Sequence, residues 1–212
     1  MNTSAAYDPL CVILILAVPL ALTGLSIMNV GLGRTRSAAH SMLASLTVAA
    51  LAACVYCLWG FSWEGFEGGP AHSFQLAGHS WNWIAGGAFL SHGPSFDGSR
   101  ADAAFVLQLF TVALAALIPL STGTDRWRLS ASLISTVLLA GWTYPLFAHW
   151  VWSGGWLSQL GNSYGLGYGF LDSGGASTIH VVGGVSALAI AWILGPRLGK
   201  YSTGGTPAAI PG

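Results

Sequence analysis

Of the 212 residues, 53% are hydrophobic and only 7% charged, and seven basic side chains balance seven acidic ones to leave a formal net charge of zero. A mean hydropathy of +0.63 excludes an ordinary soluble domain, and a neutral chain has no electrostatic footing for nucleic-acid binding. The sequence reads as an all-α integral membrane protein in which residues 1–201 form the membrane domain and residues 202–212 a Gly/Pro-rich linker.

Apolar runs of roughly 20 to 24 residues recur at about 9–31, 41–61, 103–122, 129–152 and 175–196, each long enough to cross some 30 Å of hydrocarbon as a helix. They predict five transmembrane spans. The stretch before the first run carries no positive charge, unlike the start of a secretory signal peptide, so that run is expected to be a retained span. Arg34 and Arg36 follow the first run, Arg126 and Arg128 the third, and Arg197 and Lys200 the fifth; only Arg100 falls on the opposite side. Basic residues in short loops stay cytoplasmic, which predicts an N-out, C-in chain.

The predicted outer side holds the long segment 62–102, with Trp63, Trp81, Trp83, His72, His79, His92 and the acids Glu64, Glu67, Asp97 and Asp102. A connection of this length is expected to be functional or partly ordered as short helices on the membrane surface. Its tryptophans read as interfacial anchors, and the spacing of its histidines matches no standard metal-ligand pattern. No metal or cofactor is expected. The cysteines Cys11, Cys54 and Cys57 all lie inside apolar runs. Cys54-Val-Tyr-Cys57 has the form of a redox pair, but no basic residue stands beside it to activate a thiol, so it reads as packing; thiol chemistry would require both sulfurs to be accessible.

His180 lies about a third of the way into the fifth run, behind Asp172 and among the small residues Ala176, Ser177, Gly183, Gly184, Ala187 and Ala191. An ionisable group in hydrocarbon costs at least a few kcal/mol unless it meets protein or water. The small residues permit either close helix contact or an open lumen, so a satisfied interhelical hydrogen bond and a relay role both remain open. Asp172 sits where a carboxylate would cap free N–H groups at a helix start. At the outer end of the fourth run, Tyr144-Pro-Leu-Phe-Ala-His-Trp-Val-Trp-Ser-Gly-Gly-Trp156 reads either as an aromatic belt or, beside an acid, as a collector of cations.

The block Ala148-His-Trp-Val-Trp152-Ser-Gly-Gly-Trp-Leu157, followed by Leu171-Asp172-Ser-Gly-Gly175 and His180, resembles the signature of the ammonium transporter family (Amt/Mep/Rh), AHxVWxxGGxL and then DFAGGxxxH. Looser likenesses are Gly60-Phe-Ser62, Leu109-Phe110, Asp125-Arg126, Leu194-Gly-Pro-Arg197 and the terminal Ala-Ile-Pro-Gly212. The resemblance implies a transporter, not an enzyme: an N-out bundle whose first inverted repeat has five helices, assembled as a homotrimer with one pore per protomer. By it, Trp152 would belong to an outer ammonium-recruiting mouth organised by Asp172. Phe110, or Phe105 if the alignment shifts, would be an aromatic gate, and His180 the first of two pore histidines. The implied partners are ammonium or ammonia, the bilayer of a bacterial inner or plasma membrane, and further copies of the chain or a partner supplying a second five-helix repeat. Departures from the pattern are Ser173 in place of the Phe-Ala pair, the absence of an aromatic pair before Gly31, a third span with one extra residue and Pro119, and a glycine-rich 153–172 connection. They leave a non-transporting scaffold or sensor subunit as the alternative.

Overall fold

The computed structural model describes residues 9–65, 69–90, 99–123 and 125–209, with the side chain of Arg100 outside the description. Glu67, His92, Asp97 and the last three residues of the chain therefore lie outside the described residues. Five helices are long and apolar enough to cross a membrane: Pro9–Gly31, Thr35–Glu64, Ala101–Gly123, Leu129–Val151 and Ala176–Leu194, spans 1 to 5 below. Span 2 outruns its apolar core at both ends, starting on a 3₁₀ turn at Thr35–Ser37. It stops only at Gly65, whose φ of +66° is a left-handed conformation that glycine adopts without steric cost.

Span 3 is the axis of the bundle and packs against spans 1, 2 and 5. Its Val112, Ala113, Ala115, Ala116 and Leu117 are all buried, and the run of alanines lets neighbouring backbones approach closely. Pro119 has no N–H to give the carbonyl four residues earlier, which is that of Ala115. Span 5 lays Gly183 against this carbonyl: a Cβ at position 183 would lie 2.9 Å from Ala115 O and 2.8 Å from Ile118 Cδ1. Span 1 is the least buried of the five. It buries Ser26 and Asn29, and Asn29 donates through Nδ2 to the Leu117 carbonyl at 3.3 Å.

Spans 2 and 4 each contain a wide π-helical segment, Tyr56–Gly60 and Leu139–Thr143, and the two face each other. A Cβ on Gly60 would stand 2.7 Å from Ala140 O, and one on Gly141 would stand 2.3 Å from Trp59 Nε1. Trp59 donates to the Gly141 carbonyl at 3.1 Å. The glycines thus bring two backbones into contact, and the indole uses a carbonyl at that junction.

The outer segment differs from the expected surface helices. Strands β1 (Ala71–Leu76) and β2 (His79–Ala85) form an antiparallel hairpin. Ala77 and Gly78 between them have φ of 53° and 79°, the two left-handed residues that a tight hairpin turn requires. The hairpin is bolted to the outer ends of spans 2 and 4. Ala85 packs on Gly65 so closely that a Cβ there would meet it at 2.4 Å, and Trp150 Nε1 donates to the Trp83 carbonyl at 2.8 Å.

At the opposite end the basic residues gather. Arg34 donates through Nη2 to Leu198 O at 2.8 Å and Arg197 through Nη1 to Leu32 O at 2.7 Å, while Arg126 reaches the carbonyls of Gly195 and Thr122. Asp125 accepts from the Arg34 backbone N–H. Burial works to raise the Asp125 carboxyl, but the hydrogen bonds from Ser37 and Arg34 and the charges of Arg197 and Arg34 outweigh it and hold the group below its ordinary value. One end of the bundle thus carries a cationic clasp, the cytoplasmic signature.

Candidate functional site

Span 4 ends at Val151, and Trp152 follows with its backbone N–H still bonded to Ala148 O at 2.7 Å. Its indole Nε1 donates to the backbone carbonyl of Asp172 at 2.6 Å, so two of the residues singled out in the sequence are joined between the end of span 4 and the start of span 5. The Asp172 carboxylate gathers the free N–H groups at the start of span 5. Oδ1 accepts from Ala176 N at 2.7 Å, and Oδ2 accepts from Ser177 N at 3.1 Å, Ser177 Oγ at 2.6 Å and Thr178 N at 2.8 Å. Burial works to raise this carboxyl, yet the bonds from Ser177, Thr178 and Ala176 prevail and keep it below the ordinary carboxylate value. The acid is a cap, as its position implied.

Gly175, with φ +73°, turns the chain into the π-helical segment Ala176–Val181 that carries His180. The small residues around this histidine take opposite parts. Gly183 is wedged against span 3, whereas Gly184, one turn below His180, has open space where a Cβ would stand. The His180 ring is exposed, as are Val185, Leu188 and Trp192 further down the helix. His180 therefore lies on a face of span 5 that the other four spans leave uncovered.

The two phenylalanines of span 3 have different surroundings. Phe105 is buried and set edge-on to Phe61, with ring centroids 4.9 Å apart and planes at 87°. Phe110 is half-buried. Ile118, Leu114 and Phe110 repeat every four residues and so share one stripe of the helix; Ile118 is the residue that meets Gly183.

A second group of polar residues was not singled out by the sequence reading. Glu64, the last residue of span 2, is 2% exposed. Its Oε2 accepts from Tyr56 OH and its Oε1 from Gln108 Nε2, both at 2.7 Å. Gln108 Oε1 in turn accepts from Thr111 Oγ1 at 2.9 Å and from Tyr144 OH. A cavity of about 200 Å³ opens beside Glu64, walled by Phe61, Ala104, Gln108, Trp152 and Ser153. The buried His149 contacts the Glu64 carbonyl through Nδ1 at 2.6 Å and Asn82 Oδ1 of the hairpin through Nε2 at 3.0 Å. The signal that could have found this group is Gln108, an amide inside an apolar run.

His72 and His79 lie on the hairpin, His79 with its ring 4.4 Å from that of Tyr164, and among the described residues no three histidine, cysteine or acidic side chains converge as a metal site. Cys54 is exposed on the bundle surface and Cys57 packs against the core.

Five helices long and apolar enough to cross a membrane define a mostly helical, multi-pass membrane protein. The chain belongs to the ammonium transporter family, whose sequence model matches residues 10–212. It is 35% identical over 193 residues to ammonium transporter Amt2 of Archaeoglobus fulgidus, covering 89% of this chain and 38% of that protein. It is 33% identical over 183 residues to ammonium transporter 1 member 2 of Arabidopsis thaliana, covering 84% and 34%. The chain thus spans little more than a third of the length of these curated relatives. Among solved structures, a Sensor Amt Protein superposes with a TM-score of 0.76 at 24% identity over 95% of this chain and 47% of that one. Mep2 of Saccharomyces cerevisiae superposes with a TM-score of 0.61 at 21% identity over 93% and 43%.

Proposed function

We propose that this chain moves ammonium across the membrane, with Trp152 and Asp172 forming the outer mouth and His180 lining the passage beneath it. The observation that carries the proposal is the hydrogen bond from Trp152 to the Asp172 carbonyl, which sets an indole beside an anion at the head of the helix bearing His180. The anion and the π face attract a cation. Taking an ion out of water into an apolar passage costs many kcal/mol, whereas neutral ammonia crosses at far lower cost. The proposed sequence is therefore capture of ammonium at the mouth, release of its proton there, and passage of ammonia and proton along the histidine face.

Phe110 is the proposed gate: it lies two turns outward of Ile118 on the stripe of span 3 that meets span 5, and, unlike Phe105, it is not locked edge-on against Phe61. The passage closes when a second five-helix body covers the face bearing His180, Val185, Leu188 and Trp192, supplied by further chain or by a partner. The resemblance adds a homotrimer in the plasma membrane with the arginine clasp on the cytoplasmic side.

Ala176 tests this directly, because it is exposed one turn outward of His180 and contributes only its backbone N–H to Asp172. With Cys11, Cys54 and Cys57 replaced by serine, Ala176→Cys is expected to conduct ammonium in proteoliposomes and to lose that flux when a membrane-impermeant thiol reagent is added outside. Complete labelling of the introduced thiol with unchanged flux would place the route elsewhere and favour a scaffold or sensor role.

A further inference from the structure

We infer that the cavity beside Glu64 is a cation-holding subsite, distinct from the mouth at Asp172, that takes a small monovalent cation bearing N–H donors, ammonium or methylammonium, with the Glu64 carboxylate as counter-charge. The inference rests on the proposed function only in taking such cations as the cargo.

Glu64 is 2% exposed, and the partners of its two oxygens, Tyr56 OH and the Gln108 amide, are both neutral. Among the described residues no basic side chain is hydrogen-bonded to the carboxylate; His149 meets only the Glu64 backbone carbonyl. A carboxylate in that position is stable only with a proton or a cation beside it, and the adjoining cavity of about 200 Å³ leaves room for a cation together with several waters. The walls suit a cation. Trp152 and Phe61 supply aromatic surface. Ser153 donates its hydroxyl hydrogen to the Gly65 carbonyl at 3.2 Å, which leaves its oxygen free to accept. Each Glu64 oxygen likewise accepts one hydrogen bond and retains capacity for another.

Ser153 borders a second, more polar hollow of about 450 Å³ lined by Asn82, Ser158, Gln159 and Asn162 under the hairpin. The hollow thus adjoins the Glu64 cavity at one shared residue. Trp152 separates the two sites: its N–H is committed to Asp172 while the residue walls the Glu64 cavity.

The experiment is a thermal-shift titration of the full chain in nanodiscs with ammonium chloride, methylammonium chloride and, at equal ionic strength, choline chloride. A ligand that binds only the folded state stabilises it by RT ln(1 + L/Kd), where L is the free ligand concentration, so the melting temperature climbs as L rises above Kd. The wild type is expected to show a concentration-dependent rise with the first two salts over choline. Glu64→Gln is expected to lose it. Ala104→Leu, which narrows the cavity and leaves every Glu64 hydrogen bond in place, is expected to reduce it and guards against a folding defect in the first variant. A rise of equal size in the wild type and Ala104→Leu, or no rise in the wild type, overturns the subsite. Ammonium flux is read on the same preparations: flux without a thermal shift defeats this inference alone, and a shift without flux defeats the transport reading alone.

Discussion

Asp172→Ala is expected to loosen the head of span 5 and to bring ammonium flux to background. The carboxylate holds three backbone N–H groups and the Ser177 hydroxyl. Hydrogen bonds to an ionised group contribute about 1.5–3 kcal/mol, and partial solvation places this set at the lower end. The amides of Ala176, Ser177 and Thr178 should then exchange about tenfold faster, since each 1.4 kcal/mol is a factor of about ten. Hydrogen exchange by mass spectrometry reads the change within residues 172–181. The pH dependence follows from the sign of the shift. The folded carboxyl is held below its ordinary value of 3.8, so its stabilising contribution is complete above that value and is lost as pH falls through the lower, folded one. Wild type should lose protection at residues 176–178 in that acid window, and Asp172→Ala should show no such limb. Unchanged exchange in the variant would mean that the carboxylate does not organise the mouth.

Gly141→Val is expected to be the most damaging single change in the bundle. A Cβ there would stand 2.3 Å from Trp59 Nε1 and 2.8 Å from Cε2, so spans 2 and 4 must separate and the Trp59 bond to the Gly141 carbonyl is lost. Overpacking costs about 1–3 kcal/mol and an orphaned indole N–H adds roughly 1–3 kcal/mol. The separation also pulls Tyr144 away from Gln108 and Thr111, and so disturbs Glu64. The expected result is a polydisperse elution profile in mild detergent with no cooperative melt, whereas Gly24→Val, where a Cβ meets nothing, should elute and melt as the wild type does. A normal melt for Gly141→Val would show that the contact of the two π-helical segments is not needed to hold the spans together.

The five spans were legible because hydrocarbon imposes length and apolarity directly on sequence, and the basic clasp because the two-sidedness of the membrane does the same for arginine. The tie between Trp152 and Asp172 was legible as a pairing of motifs, although it runs through a backbone carbonyl that no side-chain pattern encodes. The hairpin was missed because its turn is Ala77-Gly78, and an alanine at positive φ carries none of the usual Asn-Gly or Asp-Gly signal. The Glu64 group was missed for a different reason. In sequence Glu64 reads as one acid in a polar outer segment, and Tyr56 and Tyr144 as two aromatics in apolar runs. Only the close approach of spans 2 and 4 at Gly60 and Gly141, with Gln108 of span 3 between them, turns these residues into one network. His180 shows the limit of reading one helix alone: its small neighbours allowed either tight packing or open space, and the fold uses both, with Gly183 against span 3 and Gly184 facing out.

Ammonium flux into proteoliposomes, measured side by side for the wild type and His180→Ala, bears most directly on whether this histidine lines the route. Loss of a proton-handling side chain from the path is expected to lower the flux at least about a hundredfold, while the exchange of the Ala176, Ser177 and Thr178 amides stays at wild-type rates because the mouth is intact. Equal flux through both proteins would contradict a passage along the fifth span.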